Sequence, residues 1–292
     1  MKVGGAILVM AAATLALPCH AAAQEAASRD WDLVRSANAL AAATGYDNGL
    51  TLVVRCMGGK SLTAMVAGLP AATGHTRQIA TWFQGGERDP GHGVRPSARD
   101  PQGWGVGANA TMAFSRYPAG LARRLREGGT MNILVPGGTQ DGRNLRYVLE
   151  LPESPTAIEA VLNECGRELI DPRDAEIDAL GDNGLPHEIE WVRQPRIQYP
   201  SGRTFVRGFV TVSCMTTAQG RTEDCVIESE QPEGGGFADA VLSAARGGRL
   251  RNKLAPNEPV PSVRIMYEAR FVVEDEGADS GVRSARGRIR GR

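Results

Sequence analysis

Residues 208–230 read GFVTVSCMTTAQGRTEDCVIESE, and this segment carries the clearest structural signal in the chain. Val210, Val212 and Cys214 occupy alternate positions in one run, and Cys225, Ile227 and Ser229 do so in the next, which predicts two strands. Gln219-Gly220 lies between the two runs and predicts a hairpin with a two-residue turn. In this register Cys214 faces Cys225, and we predict a disulfide between them.

The residues that follow the hairpin predict one helix and one long strand. Small and apolar residues recur at helical spacing over 237–246, so this helix can lie close to a sheet. Over 263–273 an apolar residue occupies every second position, which predicts an amphipathic strand. The order strand, strand, helix, strand predicts a small antiparallel sheet with one helix on its face.

The first half of the chain also predicts a β-rich unit closed by a disulfide. Residues 50–56 alternate and place Cys56 on the buried face of a strand. Ser154-Pro155 predicts a helix start, with Ser154 at the N-cap, and apolar residues then recur at helical spacing as far as Cys165. A Cys56–Cys165 bridge would close a long loop and stabilise the fold by about 4–5 kcal/mol in the chain-entropy model. Further strands are predicted at 62–69, 79–83, 111–114, 131–135 and 145–151, and a short helix from Pro118.

Three segments lack a regular pattern. Residues 85–107 are rich in Gly, Pro, Arg and Asp and predict a long surface loop. Residues 171–194 mix charges with short apolar runs and predict a linker. Residues 277–292 contain five arginines and predict a disordered basic tail.

The N-terminus predicts export. Residues 1–23 combine Lys2, an uncharged apolar stretch and Ala21-Ala22-Ala23, the pattern of a cleaved signal peptide. The alternative is an uncleaved inner-membrane anchor. Cleavage would leave four cysteines, and an even number in an exported chain indicates disulfides. We therefore expect the mature protein in the periplasm of a Gram-negative envelope.

Composition excludes several classes of function. The formal net charge is zero, which gives no support for binding nucleic acid. The cysteines lack the close spacing of zinc or redox sites, so we predict neither metal nor cofactor. We find no sequence motif of a hydrolase and no sign of a small-molecule substrate. We predict that the protein is not an enzyme.

The second half resembles a known family, the C-terminal domain of the TonB energy transducer. The matching features, in order, are Gln194-Pro195, Tyr199-Pro200, Gly208-Phe209-Val210-Thr211-Val212, Gly220-Arg221, Val226 with Ser229, the helix at 237–246 and the strand ending Phe271-Val272-Val273. The resemblance covers residues 195–276 and implies an α+β fold in that domain. It also implies that the domain captures an extended segment of an outer-membrane receptor by β-strand addition.

The resemblance assigns partner contacts to two places. One is the edge of the last strand, with Val263, Ile265, Tyr267, Ala269 and Phe271; the other is the segment from Gln194 to Tyr199. The chain departs from TonB in two ways. We predict a cleaved signal peptide where TonB has an uncleaved transmembrane anchor, and a β-rich domain where TonB has a proline-rich spacer. Coupling to the proton-motive force, and so a part in energy-dependent outer-membrane transport, therefore does not follow automatically.

Our prediction is an α+β protein with five parts: signal peptide 1–23, β-rich domain 24–170, linker 171–194, TonB-like domain 195–276 and tail 277–292. Two alternatives to receptor binding stay open. The chain could be a structural adaptor, or the 85–107 loop could carry a hydrolytic or glycan site with His92, Trp82 or Trp104. Exposed sheet edges are also compatible with a strand-exchanged homodimer.

Overall fold

The computed structural model describes residues 30–71, 79–84, 104–106, 111–181, 183–200, 207–275 and 283–290. These residues form a mixed α+β protein in which every strand pairing is antiparallel. The predicted signal peptide lies outside the described residues. Among the described residues, no helix is long and apolar enough to cross a membrane.

The strands in chain order are β1 (Asp32–Arg35), β2 (Ala39–Gly45), β3 (Thr51–Met57), β4 (Ser61–Ala67), β5 (Ala80–Gln84), β6 (Trp104–Val106), β7 (Met112–Ser115), β8 (Gly129–Val135), β9 (Leu145–Leu151), β10 (Ile189–Arg193), β11 (Arg207–Thr216), β12 (Thr222–Gln231), β13 (Arg249–Asn252), β14 (Arg264–Asp275) and β15 (Arg283–Arg290). The helices are α1 (Pro118–Arg126), α2 (Thr156–Glu164), α3 (Arg173–Asp178) and α4 (Phe237–Ala245).

The N-terminal half contains two sheets. A six-stranded sheet runs in the order β1-β2-β3-β4-β7-β6, and a three-stranded sheet runs β5-β8-β9. Leu52, Val54 and Cys56 of β3 are buried, as their alternation predicts. Helix α2 packs on β2 and β3 and helix α1 packs on β4, so the core of this half lies between the sheets and these helices.

The predicted disulfide between Cys56 and Cys165 is confirmed. Cys56 ends the buried face of β3, and Cys165 follows α2, with a Cα–Cα distance of 5.5 Å. Helix α2 begins slightly later than predicted, because Pro155 rather than Ser154 occupies the N-cap position and no side chain caps it.

The C-terminal half is built on a four-stranded sheet in the order β12-β11-β14-β15. Helix α4 packs on β11 and β12 and buries Phe237, Val241 and Ala245 against them. A separate two-stranded sheet pairs β10 with β13, which follows α4 in the chain. Together these elements enclose a second core, the C-terminal core.

The Cys214–Cys225 disulfide is also confirmed, with the two Cα atoms 4.1 Å apart. The turn between β11 and β12 is longer than the predicted two residues, since Thr216 pairs with Thr222. A bulge restores the register, because two residues of β12, Asp224 and Cys225, lie between the partners of Ser213 and Met215. Asp224 has a φ of 48°, a value that accommodates the extra residue.

All three segments predicted to be irregular contain some regular structure. Within the predicted 85–107 loop, Trp104–Val106 form β6 and pair with β7. The predicted linker, 171–194, includes α3 and β10 and buries Ile177, Leu180 and Leu185. Its apolar residues are spaced too irregularly for a periodic signal, although Ile177, Leu180, Leu185 and Ile189 all reach core positions. Within the tail predicted to be disordered, residues 283–290 form β15 and pair with β14. This strand gives only a weak sequence signal, because four of its eight residues are arginine and one is glycine.

Candidate partner-binding edge

The side chains predicted to contact a partner on β14 face inward. Ile265, Tyr267, Ala269 and Phe271 are all buried in the C-terminal core. Val263 precedes the strand and is partly buried, and its backbone N–H donates to Thr216 Oγ1 at 2.9 Å. Contact with a partner at this edge therefore falls to the main chain.

The backbone of β14 alternates between its two neighbours. The carbonyl of Val263 accepts from Thr216 N at 2.9 Å, so odd-numbered residues direct their polar groups towards β11. Met266 N instead donates to Gly184 O at 2.8 Å, on the other side of the strand. Even-numbered residues of β14 thus present their N–H and C=O groups to the outer edge.

The outer edge of β14 is occupied along most of its length. Residues 268–275 pair antiparallel with 283–290, in a register that places Glu268 opposite Arg290 and Asp275 opposite Arg283. Next to this segment, the loop between α3 and β10 covers Met266 at Gly184, and we refer to it as the Gly184 loop. A Cβ on Gly184 would lie 1.7 Å from Met266 O, and its φ is +73°, so only glycine allows this approach.

The second predicted contact segment packs on the C-terminal core. The Tyr199 ring lies 5.6 Å from that of Phe237 and 6.1 Å from that of Phe271, centroid to centroid. Burial raises the pKa of the Tyr199 hydroxyl. Trp191 makes an edge contact with Tyr267 at 5.6 Å. Gln194, which lies between Trp191 and Tyr199 in the sequence, is half-buried. The structure thus places Gln194 and Tyr199 beside the core rather than on the outer edge of β14.

The face of the sheet that is opposite α4 contacts the N-terminal half. Met266 belongs to the N-terminal core, and Glu268 is 2.6 Å from Arg116 Nε. Arg264 Nε lies 2.6 Å from Glu176 of α3. Since this face is covered, the edge is the part of β14 that a partner strand can approach.

A buried polar network connects this face to α1 and α3. Glu228 of β12 accepts from Ser213 Oγ at 2.5 Å and from Arg173 at 3.1 Å. Burial alone would raise the pKa of Asp171, but its hydrogen bonds from Arg173 outweigh that effect and hold the pKa below the usual value. Beside it, Arg123 binds the Asp174 carboxylate, with both guanidinium–oxygen distances at 2.6 Å.

The residues considered for catalysis or glycan binding are not brought together in the described part of the chain. His92 lies outside the described residues, with most of the predicted 85–107 loop. Trp82 lies under Arg146, 5.0 Å from the guanidinium carbon to the ring centroid, and Trp104 begins β6. Among the described residues no group of His, Cys, Asp and Glu is arranged to hold a metal.

Two features of this edge were not predicted from the sequence, the Gly184 loop and β15. The signal for β15 is an alternation in which Ala285, Gly287 and Ile289 separate residues that are mostly arginine. Searches with protein-family models, among curated proteins and among solved structures find no match to this chain.

Proposed function

We propose that this protein is a non-catalytic binding protein of the periplasm that captures an extended segment of an envelope partner, such as an outer-membrane receptor, by strand addition to β14. The observation that carries the proposal is the pairing of β14 with β15 over eight residues of each strand. This pairing supports the proposal that the main chain of β14 accepts an added strand at its outer edge. The resemblance of 195–276 to the TonB C-terminal domain favours the same mode, and the two disulfides favour an oxidising compartment.

The construction of β14 suits recognition through the main chain. Its inward side chains are locked in the C-terminal core, and β11 pairs with it along nine residues, from Arg207↔Val272 to Met215↔Arg264. Because β14 pairs with β11 along one edge and packs its inward side chains into the core, its outward N–H and C=O groups stay aligned. An incoming segment therefore gains hydrogen bonds without ordering the strand that receives it.

In this scheme β15 is an internal competitor for the partner. The outward groups over 268–275 cannot pair with β15 and with a partner strand at the same time. The apparent affinity for a partner is then reduced by the fraction of molecules in which the edge is free. The partner segment replaces β15, and residues 283–290 leave the sheet when it binds.

A matched pair of proline variants in the full chain tests this scheme. The even-numbered residues of β15 lie opposite those of β14, so the N–H of Arg286 points to β14 and the N–H of Ala285 points away. Arg286→Pro removes a ladder hydrogen bond, whereas Ala285→Pro is tolerated on an edge strand. We expect tighter binding of labelled peptides from the N-terminal segments of outer-membrane receptors to Arg286→Pro, with Ala285→Pro close to the parent chain, as measured by fluorescence anisotropy.

Equal peptide affinities in the parent chain and in both variants, with β15 shown by NMR to be released in Arg286→Pro, would contradict β14 as the site. Removal of residues 277–292 provides an independent version of the same test. It should raise peptide affinity at least as much as Arg286→Pro, because it removes the competing strand entirely.

A further inference from the structure

A pocket of 780 Å³ lies beside the two-stranded β10–β13 sheet, and none of its lining residues belongs to β14. It is lined by four arginines, Arg193, Arg221, Arg246 and Arg249, together with Val192 and the Gly247-Gly248 turn. No acidic residue is among these lining residues. A chain with zero net charge thus concentrates four positive charges around one concavity.

The fold holds the backbone around these arginines in place. Helix α4 ends at Ala245, and the turn after it is packed so closely that a Cβ on Gly248 would lie 2.7 Å from the Trp191 ring. Arg193 Nε donates to Gly247 O at 3.1 Å, which ties β10 to this turn. Leu250 N of β13 donates to Gly220 O at 2.8 Å. This hydrogen bond places Arg221, the residue after Gly220, beside β13.

The arrangement is electrostatically unfavourable without a ligand. Arg193 and Arg249 are directly opposite each other in the β10–β13 register, and like charges in such positions are destabilising. None of the ion pairs between described residues involves the four pocket arginines, all of which are exposed. By contrast, Arg251, which lies two residues after Arg249 on β13, forms an ion pair with Glu190 at 2.6 Å.

We propose that this pocket binds a phosphate or diphosphate group. Guanidinium groups match phosphate oxygens in a two-point fork, and several of them around one site favour an anion with more than one charge. The carboxylates on one side of an extended acidic peptide recur only at every second residue, roughly 7 Å apart. A compact oxyanion brings its charges into a single pocket, which a peptide of that kind does not. This site is separate from the proposed strand-binding function and does not depend on it.

The test is calorimetric titration of the full oxidised chain with inorganic pyrophosphate and with inorganic phosphate. We expect saturable binding at one site, tighter for pyrophosphate. The double variant Arg246→Gln/Arg249→Gln should weaken it by at least about tenfold, since hydrogen bonds to charged groups are lost. Arg35→Gln/Arg143→Gln is the control, because it removes the same charge at two exposed arginines of the N-terminal half and should leave binding unchanged.

A thermal melt of the ligand-free variants gives a second readout. The pocket variant should melt at a higher temperature than the parent, because it removes like charges from one site, and pyrophosphate should raise its melting temperature less. A lower melting temperature without ligand, equal loss of affinity in the control variant, or no saturable binding of pyrophosphate would overturn the proposal. Tighter binding of a poly-glutamate peptide than of pyrophosphate at the same arginines would also overturn it.

Vesicles identify the source of the phosphate group. Binding to vesicles of equal parts phosphatidylcholine and phosphatidic acid, reversed by pyrophosphate and lost in the pocket variant, supports a lipid headgroup as the ligand. Binding of pyrophosphate with no binding to these vesicles supports a soluble phosphorylated ligand.

Discussion

Arg123 carries its charge at 2% exposure, at the centre of a network built from residues that are far apart in sequence. Its guanidinium contacts Asp174 of α3, the Tyr117 hydroxyl and the carbonyl of Glu168. The Tyr117 hydroxyl in turn donates to Asp174 at 2.7 Å, and burial together with that carboxylate raises the Tyr117 pKa. An arginine in an amphipathic helix is ordinarily assigned to the solvent face, so this role was not predicted from the sequence.

Replacing Arg123 should be far more damaging than replacing a neighbouring arginine. Arg123→Met leaves the Asp174 carboxylate buried without its main cation, and we expect a loss of about 3–5 kcal/mol in the free energy of unfolding. Arg126 lies on the same helix and pairs with Glu159 at 3.5 Å near the surface, so Arg126→Met should cost no more than about 1 kcal/mol. Urea unfolding followed by circular dichroism measures both. Similar losses in the two variants would contradict a structural role for the network.

At the scale of elements, strong patterns of large apolar residues predicted the structure well. Strands β3, β4, β8, β9 and β14 and helices α1 and α2 all carry such patterns and all form near the predicted positions. Helix α4, with a stripe of mostly small apolar residues, also forms where it is predicted. Strands β1 and β2 were missed, because β2 reads ALAAATG and alanine has weak strand propensity. Strands β10, β13 and β15 are short or rich in charge. Strands β10 and β13 pair with each other although β11, β12 and α4 separate them in the chain, and β15 pairs with the preceding strand β14, so pairing rather than periodicity decides their structure.

Helix α4 illustrates an element whose start is set by tertiary structure. Its N-cap residue, Gly236, supplies no side-chain acceptor. Instead Glu230 of β12 accepts from the N–H groups of Phe237 and Ala238 at 2.7 and 3.1 Å. A carboxylate at this position satisfies two free donors and complements the helix dipole.

Removing that acceptor should destabilise the C-terminal half. We expect Glu230→Ala to lower the free energy of unfolding by about 1–2 kcal/mol, the range for loss of a helix N-cap. Glu230→Gln keeps an acceptor oxygen and loses only the charge, so its effect should be smaller. Guanidinium unfolding followed by Trp fluorescence compares the two. Equal stability of Glu230→Ala and the parent chain would show that the helix start does not depend on this carboxylate.

At the scale of the whole molecule, the two halves are joined by more than a chain connection. Met266 of β14 enters the N-terminal core, Glu268 pairs with Arg116, and Glu228 pairs with Arg173. Glu233, after β12, accepts from Thr63 and lies 3.3 Å from Arg55 of β3. A fragment limited to the C-terminal half would expose these groups, so binding experiments need a chain that contains both halves.

The strand that forms the proposed binding edge could be predicted from the sequence, but the segments that pair with its outer edge could not. The alternation over 263–273 predicted β14, and its inward side chains lie where that alternation places them. Its outer partners are the Gly184 loop, which is distant in sequence, and β15, which follows β14 in the chain, and both contact β14 through the main chain. Main-chain pairing leaves little trace in side-chain periodicity, which explains why this part of the candidate site was missed.

Amide hydrogen exchange at β14 tests strand addition most directly, using the chain ended at Asp275 so that β15 is absent. Without peptide, the N–H groups of Arg270 and Val272 should exchange rapidly, whereas those of Ala269 and Phe271, which point to β11, stay protected. A bound receptor-derived peptide should protect Arg270 and Val272 and leave the other two unchanged. If the peptide binds and Arg270 and Val272 still exchange rapidly, β14 is not the edge that receives the partner.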